Sequence, residues 1–525
     1  MADLTRRQLV ARGLSGGGAV LLTGSPFLAA AAQRDARRDR LIRGGRFLHR
    51  VAAGAPATNG AILWTRLTGL ERRGRIGYEV ATDRSFRRVL VSGRTFADPE
   101  ADYAAELALR SPRLKPGEDY WYRFFTRDRS SLPGRFRTAL PADSRDPVRI
   151  GFFSCQKWHQ GYYTAHRGLA KEEDLDVVVA LGDYIYEEPA ANRTVAERMD
   201  NTGALRDGDV QSLPEYRQKY RLYQSDPDLQ VMHSRHAVIP IWDDHEAEDD
   251  YAGENEGDPL RERRVSFEER KRAGYRAFFE SLPIRPRRDD PLRIYGSRRI
   301  GQAELFMLDT RQYRDALACP SVTPCPQGEA PGRSILGSAQ REWLKGALVG
   351  GGAAWKVIAN QVMMMTLDVP TGVPINADQW DGYAAERREL LEHALAQGVE
   401  DIAVITGDIH TFFAGTVTTT GDGAGRPAAT EFVGGSITST GIAEDLEKRG
   451  IPRNTEGGQE SGLRGMNPHI TYADVSAKGY GVLEAKQDEL LVTFRTPETV
   501  LEPKSKVNTL ARFRVARGGT DVEVL

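Results

Sequence analysis

Val177-Val178-Val179-Ala180-Leu181-Gly182-Asp183-Tyr184-Ile185-Tyr186-Glu187 is the stretch on which the fold turns. Its first five residues form an unbroken apolar run, the pattern of a strand buried on both faces of a parallel sheet. The run stops at a glycine and then offers a carboxylate and a phenol. The same layout recurs at Val148 to Cys155, Val238 to Asp244, Leu305 to Asp309, Val357 to Gln361 and Ile402 to Asp408. Each is a short apolar run that ends in a polar or metal-capable residue. Amphipathic segments lie between them. Ser266-Phe267-Glu268-Glu269 opens a helix with a capping box, and Tyr275, Phe278, Phe279 and Leu282 then share one face. This alternation predicts a large α/β domain over 148–505, mostly β from Thr416 onward.

Working outward, the region from Phe47 to Ala139 has a different texture. Ala61-Ile62-Leu63-Trp64-Thr65-Arg66, Gly77-Tyr78-Glu79-Val80 and Tyr120-Trp121-Tyr122-Arg123-Phe124 are short alternating segments punctuated by Gly, Pro and Asp. They predict a small all-β, immunoglobulin-like sandwich over 40–140. The polar, proline-bounded stretch from Leu140 to Pro147 is a linker. Residues 506–525 alternate as a strand-like tail.

Residues 1–32 differ again. Thr5-Arg6-Arg7-Gln8-Leu9-Val10 is followed by an uncharged Gly/Ala/Leu stretch and the alanine run Ala29 to Ala32. That layout is an export signal of twin-arginine type. It implies passage of the folded protein through the twin-arginine export machinery to a periplasmic or secreted location. The apolar stretch is short and broken by glycine, so no stable membrane span is expected.

The chain has 525 residues, with 72 Lys and Arg against 73 Asp and Glu, a net charge of −1. So balanced a chain has no general basic field, which excludes a sequence-specific nucleic-acid partner and requires any anion site to be built locally. Hydrophobic residues at 40% with 28% charged describe a soluble globular protein.

Open α/β sheets place their sites at the carboxyl ends of strands. Here those ends are Ser154-Cys155-Gln156, Gly182-Asp183-Tyr184-Ile185-Tyr186, Trp242-Asp243-Asp244-His245-Glu246, Asn360-Gln361 and Gly407-Asp408-Ile409-His410. One carboxylate at a strand end means little. Several strand ends that together deliver Cys, Asp, Tyr and His predict a polynuclear metal site. Gly182 and Gly407 beside the aspartates suit tight turns where backbone approaches a ligand.

Together with Asp309-Thr310-Arg311-Gln312-Tyr313-Arg314 and Asn467-Pro468-His469, this ordered set resembles the PhoD-type alkaline phosphatases, a calcineurin-like metallophosphoesterase family with its own N-terminal β domain. The resemblance spans the whole chain. It implies an α/β, two-sheet metallophosphoesterase sandwich preceded by the small β domain. It further implies Fe(3+) held by Cys155, Asp183, Tyr186 and His410. One or two Ca(2+) ions would lie beside it, with Asp183 shared and Asp244, Asp408 and Asn360 as ligands. His245 would stand near the phosphate as acid or transition-state stabiliser, and Arg311 would contact or support it. The implied activity is exported, metal-dependent hydrolysis of phosphomonoesters and phosphodiesters. The alternatives are a phospholipase D-like or nucleotide-directed phosphodiesterase on the same core, and a non-catalytic binding protein. Phenolate and thiolate beside carboxylates suit trivalent iron, oxygen-only ligands suit calcium, and a two-zinc site would use more histidine.

Blander roles compete at several positions. Arg311 could pair with a buried acid instead. Cys155 could be a small buried hydrophobe. Cys319 and Cys325 bracket Pro-Ser-Val-Thr-Pro and suit a loop disulfide in an exported protein, or two unpaired thiols. Asp249 and Asp250 are expected in a solvated acidic loop outside the site. His159, His166, His233 and His236 are expected to be surface or satisfied histidines, Tyr184 and Trp242 to pack, and His469 to cap a loop.

Overall fold

Side chains of the strand Trp355–Ala359 enter its two faces alternately. Val357 and Ala359 enter one core and Ile358 enters another, as the pleat of a strand covered on both sides requires. The computed structural model describes residues 41–191, 193–257, 260–319, 326–368, 378–420, 423–448 and 459–525. The predicted signal at 1–32 and Cys325 therefore lie outside the described residues.

Every apolar run singled out above is a strand. Val148–Phe153, Val177–Ala180 and Ala237–Pro240 pair in parallel within a ten-stranded sheet. Ala303–Met307, Trp355–Ala359, Ile402–Thr406 and Pro427–Gly434 pair in parallel within a seven-stranded one. One core joins the two sheets, with Ile150 and Phe152 on one side and Leu305, Val357 and Ile405 on the other. The far face of the seven-stranded sheet is covered by the helices Gly337–Gly350 and Ala384–Ala396, through Leu344, Leu348, Leu390 and Leu391. This is the two-sheet α/β architecture the sequence predicted. The helix Phe267–Ser281 begins at the expected capping box, with Ser266 and Glu269 exchanging hydrogen bonds, and packs Phe278 and Phe279 edge-on against Trp242.

The amino-terminal region departs from a self-contained immunoglobulin-like sandwich. Val89–Ala97, Gly74–Ala81, Asp119–Phe125 and Gly134–Arg137 form a four-stranded antiparallel sheet. The layer opposite it is Val51–Ala57, Gly60–Arg66 and Ala104–Ala108, and these three strands belong to the ten-stranded sheet. Val51–Ala57 pairs in parallel with Ala237–Pro240. The small core of Ile76, Val80, Tyr122, Phe124 and Phe136 against Val51 and Leu63 is thus roofed by the large sheet itself. Pairing with an existing sheet satisfies the backbone groups that an isolated layer would leave as an open edge. At the other end, Val507–Ala516 and Glu523–Val524 extend the same sheet antiparallel to Glu489–Pro497, so the strand-like tail is an edge of the main sheet.

Candidate metal centre

The strands of both sheets run toward one rim, and there the backbone leaves ordinary geometry. Cys155, Asp183, Asp408 and His410 have φ of 59°, 52°, 64° and 57°. Left-handed conformations at non-glycine residues cost on the order of 1–3 kcal/mol each and persist where surrounding structure enforces them. The two neighbouring glycines are required for packing between strand ends, rather than for approach to a ligand. A Cβ at Gly182 (φ 112°) would lie 2.4 Å from the Cβ of Asp243, and one at Gly407 would lie 2.4 Å from Ser154 Oγ.

These turns aim four side chains at one point. Ligand atoms of Cys155, Asp183 and His410 lie within 4.8 Å of one another. The phenol of Tyr186 donates to Asp183 Oδ2 at 2.9 Å, and it sits 3.0 Å from His410 Nε2 and 2.8 Å from Ser439 Oγ. Asp183 also belongs to a second group with Asp244 and His245, and Asp243, Asp244 and Asp408 form a third. Two oxygens in this region are buried without a hydrogen bond, Asp183 Oδ1 and Asn360 Oδ1. Asn360 turns its amide nitrogen to the carbonyl of Val362 at 2.5 Å, leaving its oxygen unpaired. Phenol, carboxylates and an unpaired amide oxygen suit hard, highly charged cations, and the thiol and imidazole add softer positions suited to a transition metal.

Arg311 resolves toward pairing with buried acids. It has no exposed surface, donates to Asp243 and to Asp378 (2.7 Å), and reaches Asp408 at 3.3 Å and Asp244 at 3.6 Å. Arg314 shares Asp378 at 2.8 Å, and Gln379 donates its amide to Asp408.

The electrostatics follow from burial and carboxylate crowding. Burial first, then the neighbouring acids, push Asp183 and Asp408 well above the usual carboxylate range and Asp243 up to about 6. Burial, reinforced by Asp183 and Asp408, raises the Cys155 thiol, and burial with Asp183 raises the Tyr186 phenol. Asp244 moves the other way, because Arg311 and His245 overcome its burial. Burial likewise lowers His410 to about 3. The acids crowded here outnumber Arg311 and His245, and multivalent cations would relieve the crowding.

Residues 150–494 match the family described as PhoD-like phosphatase, and residues 31–140 match the PhoD-like phosphatase N-terminal domain. The chain belongs to the PhoD-like phosphatase family. This PhoD-like phosphatase is 31% identical over 485 residues to alkaline phosphatase D of Bacillus subtilis (strain 168), covering 88% of the chain and 79% of that protein. A solved structure of PhoD matches it with a TM-score of 0.78 at 28% identity, over 91% of the chain and 92% of that structure. Purple acid phosphatase PPD1 from yellow lupin (Lupinus luteus) seeds matches with a TM-score of 0.54 at 12% identity, over 89% and 74%, which is a likeness of fold alone. Family membership makes the chain a phosphoric ester hydrolase on a metallophosphoesterase fold.

The PhoD-like phosphatase thus brings Cys155, Asp183, Tyr186, His410, Asp244, His245, Asp408 and Arg311 to one rim. Asn360 ends the adjacent strand and makes no hydrogen bond to the carboxylates. The reading of Asp249 and Asp250 as lying outside the site is corrected, although the Asp249 side chain is still 49% exposed. The Asp250 amide donates to Asp244 Oδ2 at 2.7 Å, and Asp244, Asp249 and Asp250 form a further carboxylate group. The short 3-10 turn Asp244–Glu246 folds the chain back on itself and turns these amides inward. The bland readings hold elsewhere, except at His236, which is buried with neither ring nitrogen hydrogen-bonded. His159, His166 and His233 are buried and bond to Ala191, Gln156 and Tyr184, while Trp242 stacks on Tyr275 at 4.2 Å. His469 bonds the Thr366 carbonyl at 2.9 Å. Cys319 is disulfide-bonded and Cys155 is free. Asp243, Asp378, Gln379, Ser439 and Glu187 escaped the sequence reading. Glu187 stood in plain view beside Tyr186, but a lone acid after a motif carries no signal of its partner.

Proposed function

We propose that this PhoD-like phosphatase is an exported, metal-dependent alkaline phosphatase that hydrolyses small phosphate esters, both phosphomonoesters and phosphodiesters. The observation that carries the reading is the convergence of Cys155, Asp183, Tyr186 and His410 on one point beside a carboxylate-rich second group. Cys155, Asp183, Tyr186 and His410 would hold a ferric ion. Asp183, Asp244, Asp408 and Asn360 would hold one or two calcium ions. Bound there, the cations would polarise the phosphoryl oxygens and lower the pKa of the attacking water.

The chain's own residues supply the remaining functions. Arg311 pairs with Asp243, Asp244 and Asp408 and fixes their directions, while the buried strand ends around it exclude bulk water. His245 faces the same carboxylates as the substrate phosphate would, and holds a proton at Nε2 for the leaving oxygen. The twin arginines at Arg6-Arg7 support export in the folded state. No helix among the described residues is long and apolar enough to cross a membrane.

The test is elemental analysis of the purified protein together with turnover of one phosphomonoester and one phosphodiester. Iron and calcium in the protein with monoester turnover support the reading. Turnover confined to a nucleotide diester or a phospholipid would favour the phosphodiesterase alternative. Full activity in Asp183→Asn without iron or calcium would end it.

A further inference from the structure

His245 is held by two consecutive residues, Tyr186 and Glu187. His245 lies against the ring of Tyr186, centroids 4.0 Å apart, and its Nδ1 donates to Glu187 Oε2 at 2.8 Å. Glu187 has no exposed surface, and its two oxygens are used differently. Oε1 accepts from Arg261 at 2.6 Å, from Arg270 at 3.2 Å and from the Asp249 amide at 3.2 Å. Oε2 accepts from His245 alone among the described residues. The arginines are themselves anchored, Arg261 by Asp209 and Arg270 by Glu248 at 2.7 Å. The carboxylate cannot rotate away, and with Nδ1 occupied the imidazole presents Nε2, which lies 3.5 Å from Asp249 Oδ1.

We propose that Glu187 is a positioning residue that aims His245 at the scissile phosphate ester. This rests on the reading of His245 given above. A buried strut would need only the contacts to Arg261, Arg270 and the backbone. An oxygen reserved for one imidazole nitrogen fixes ring orientation and tautomer, as the acid of a catalytic triad does for its histidine. In the step it serves, a P–O bond forms to the attacking water and the P–O bond to the alcohol breaks. The proton on His245 Nε2 passes to the departing alkoxide, and the water's proton leaves to solvent.

The test uses the metal-loaded full chain on an alkyl phosphate, whose leaving oxygen needs a proton, and on p-nitrophenyl phosphate, whose leaving oxygen does not. Glu187→Gln is expected to lower kcat on the alkyl ester by about 100-fold. The loss on the nitrophenyl ester should be far smaller, with KM and metal content unchanged. Placed on His245→Asn, it should add no further loss. Equal losses on both esters, or a loss that persists on His245→Asn, would reduce Glu187 to a strut and overturn the proposal. Should Glu187→Gln fail to fold, Glu187→Asp keeps a charge for Arg261 and Arg270 but retracts from His245. A folded Glu187→Asp with selectively slow alkyl turnover supports the proposal, and one with normal alkyl turnover overturns it. If His245→Asn itself slows both esters equally, the reading of His245 fails first and takes this inference with it.

Discussion

The Tyr186 phenol donates to Asp183 Oδ2 at 2.9 Å from three residues along the same turn, while Asp183 Oδ1 is buried with no partner. One oxygen is tied to a neighbouring donor and the other is left bare. A carboxylate desolvated in this way is at high energy until a cation reaches it.

Asp183→Asn should therefore remove metal as well as activity. Outer partners of metal ligands are worth about 10–100-fold, so loss of the shared carboxylate itself should lower kcat by more than about 100-fold. Iron and calcium content per chain should fall in parallel. Full metal content with lost activity would contradict the shared-ligand role.

Removal of cations should also weaken the fold. A ligand at a hundred times its Kd stabilises by about 2.7 kcal/mol. Chelation should lower Tm, and calcium alone should restore part of the stability. An unchanged Tm after complete chelation would show that the crowded carboxylates are relieved by protonation instead.

Arg311 is surrounded by Asp243, Asp378, Asp408 and Asp244 with no exposed surface of its own. Removing one member of a buried ion pair typically costs about 3–5 kcal/mol. Arg311→Met should lose roughly that much in urea unfolding at neutral pH. A cost below about 1 kcal/mol, the size of an exposed ion pair, would show that these buried contacts add little to stability.

Three buried histidines outside the ligand set should each weaken the fold as the solution is acidified. Burial, aided by Arg66 and Arg221, holds His49 at about 3, and burial alone holds His233 at about 4. Burial, aided by Arg135 and Arg235, holds His236 at about 3. The unfolded chain takes up these protons near pH 6.5, while the folded one waits until pH 3–4. The contribution of these histidines is then fully present above about pH 6.5 and is lost as pH falls. Between pH 7.5 and 5.5 each histidine should cost about 1.4 kcal/mol, read from urea midpoints. His236→Gln should flatten that dependence; an unchanged pH slope in this variant would exclude His236.

Legibility differed by residue. Cys155, Asp183, Asp244 and Asp408 could be found because each ends a continuous apolar run, and parallel strands gather their carboxyl ends on one rim. Glu187, Asp378 and Ser439 could not. Their partners lie 58, 67 and 253 residues away, at His245, Arg311 and Tyr186. Asp249 and Asp250 misled for the complementary reason, since consecutive acids look solvated until a turn folds their amides inward.

The order of strands, the capped helix at Ser266 and the set of metal-capable side chains were written in local pattern, because burial period and capping are properties of neighbouring residues. Tertiary structure alone decided that the amino-terminal strands roof their core with the main sheet, that Arg311 sits among four carboxylates, and that His245 turns one nitrogen to Glu187. Each of these depends on hydrogen bonds and charges brought together from distant parts of the chain, and no local periodicity encodes such pairings.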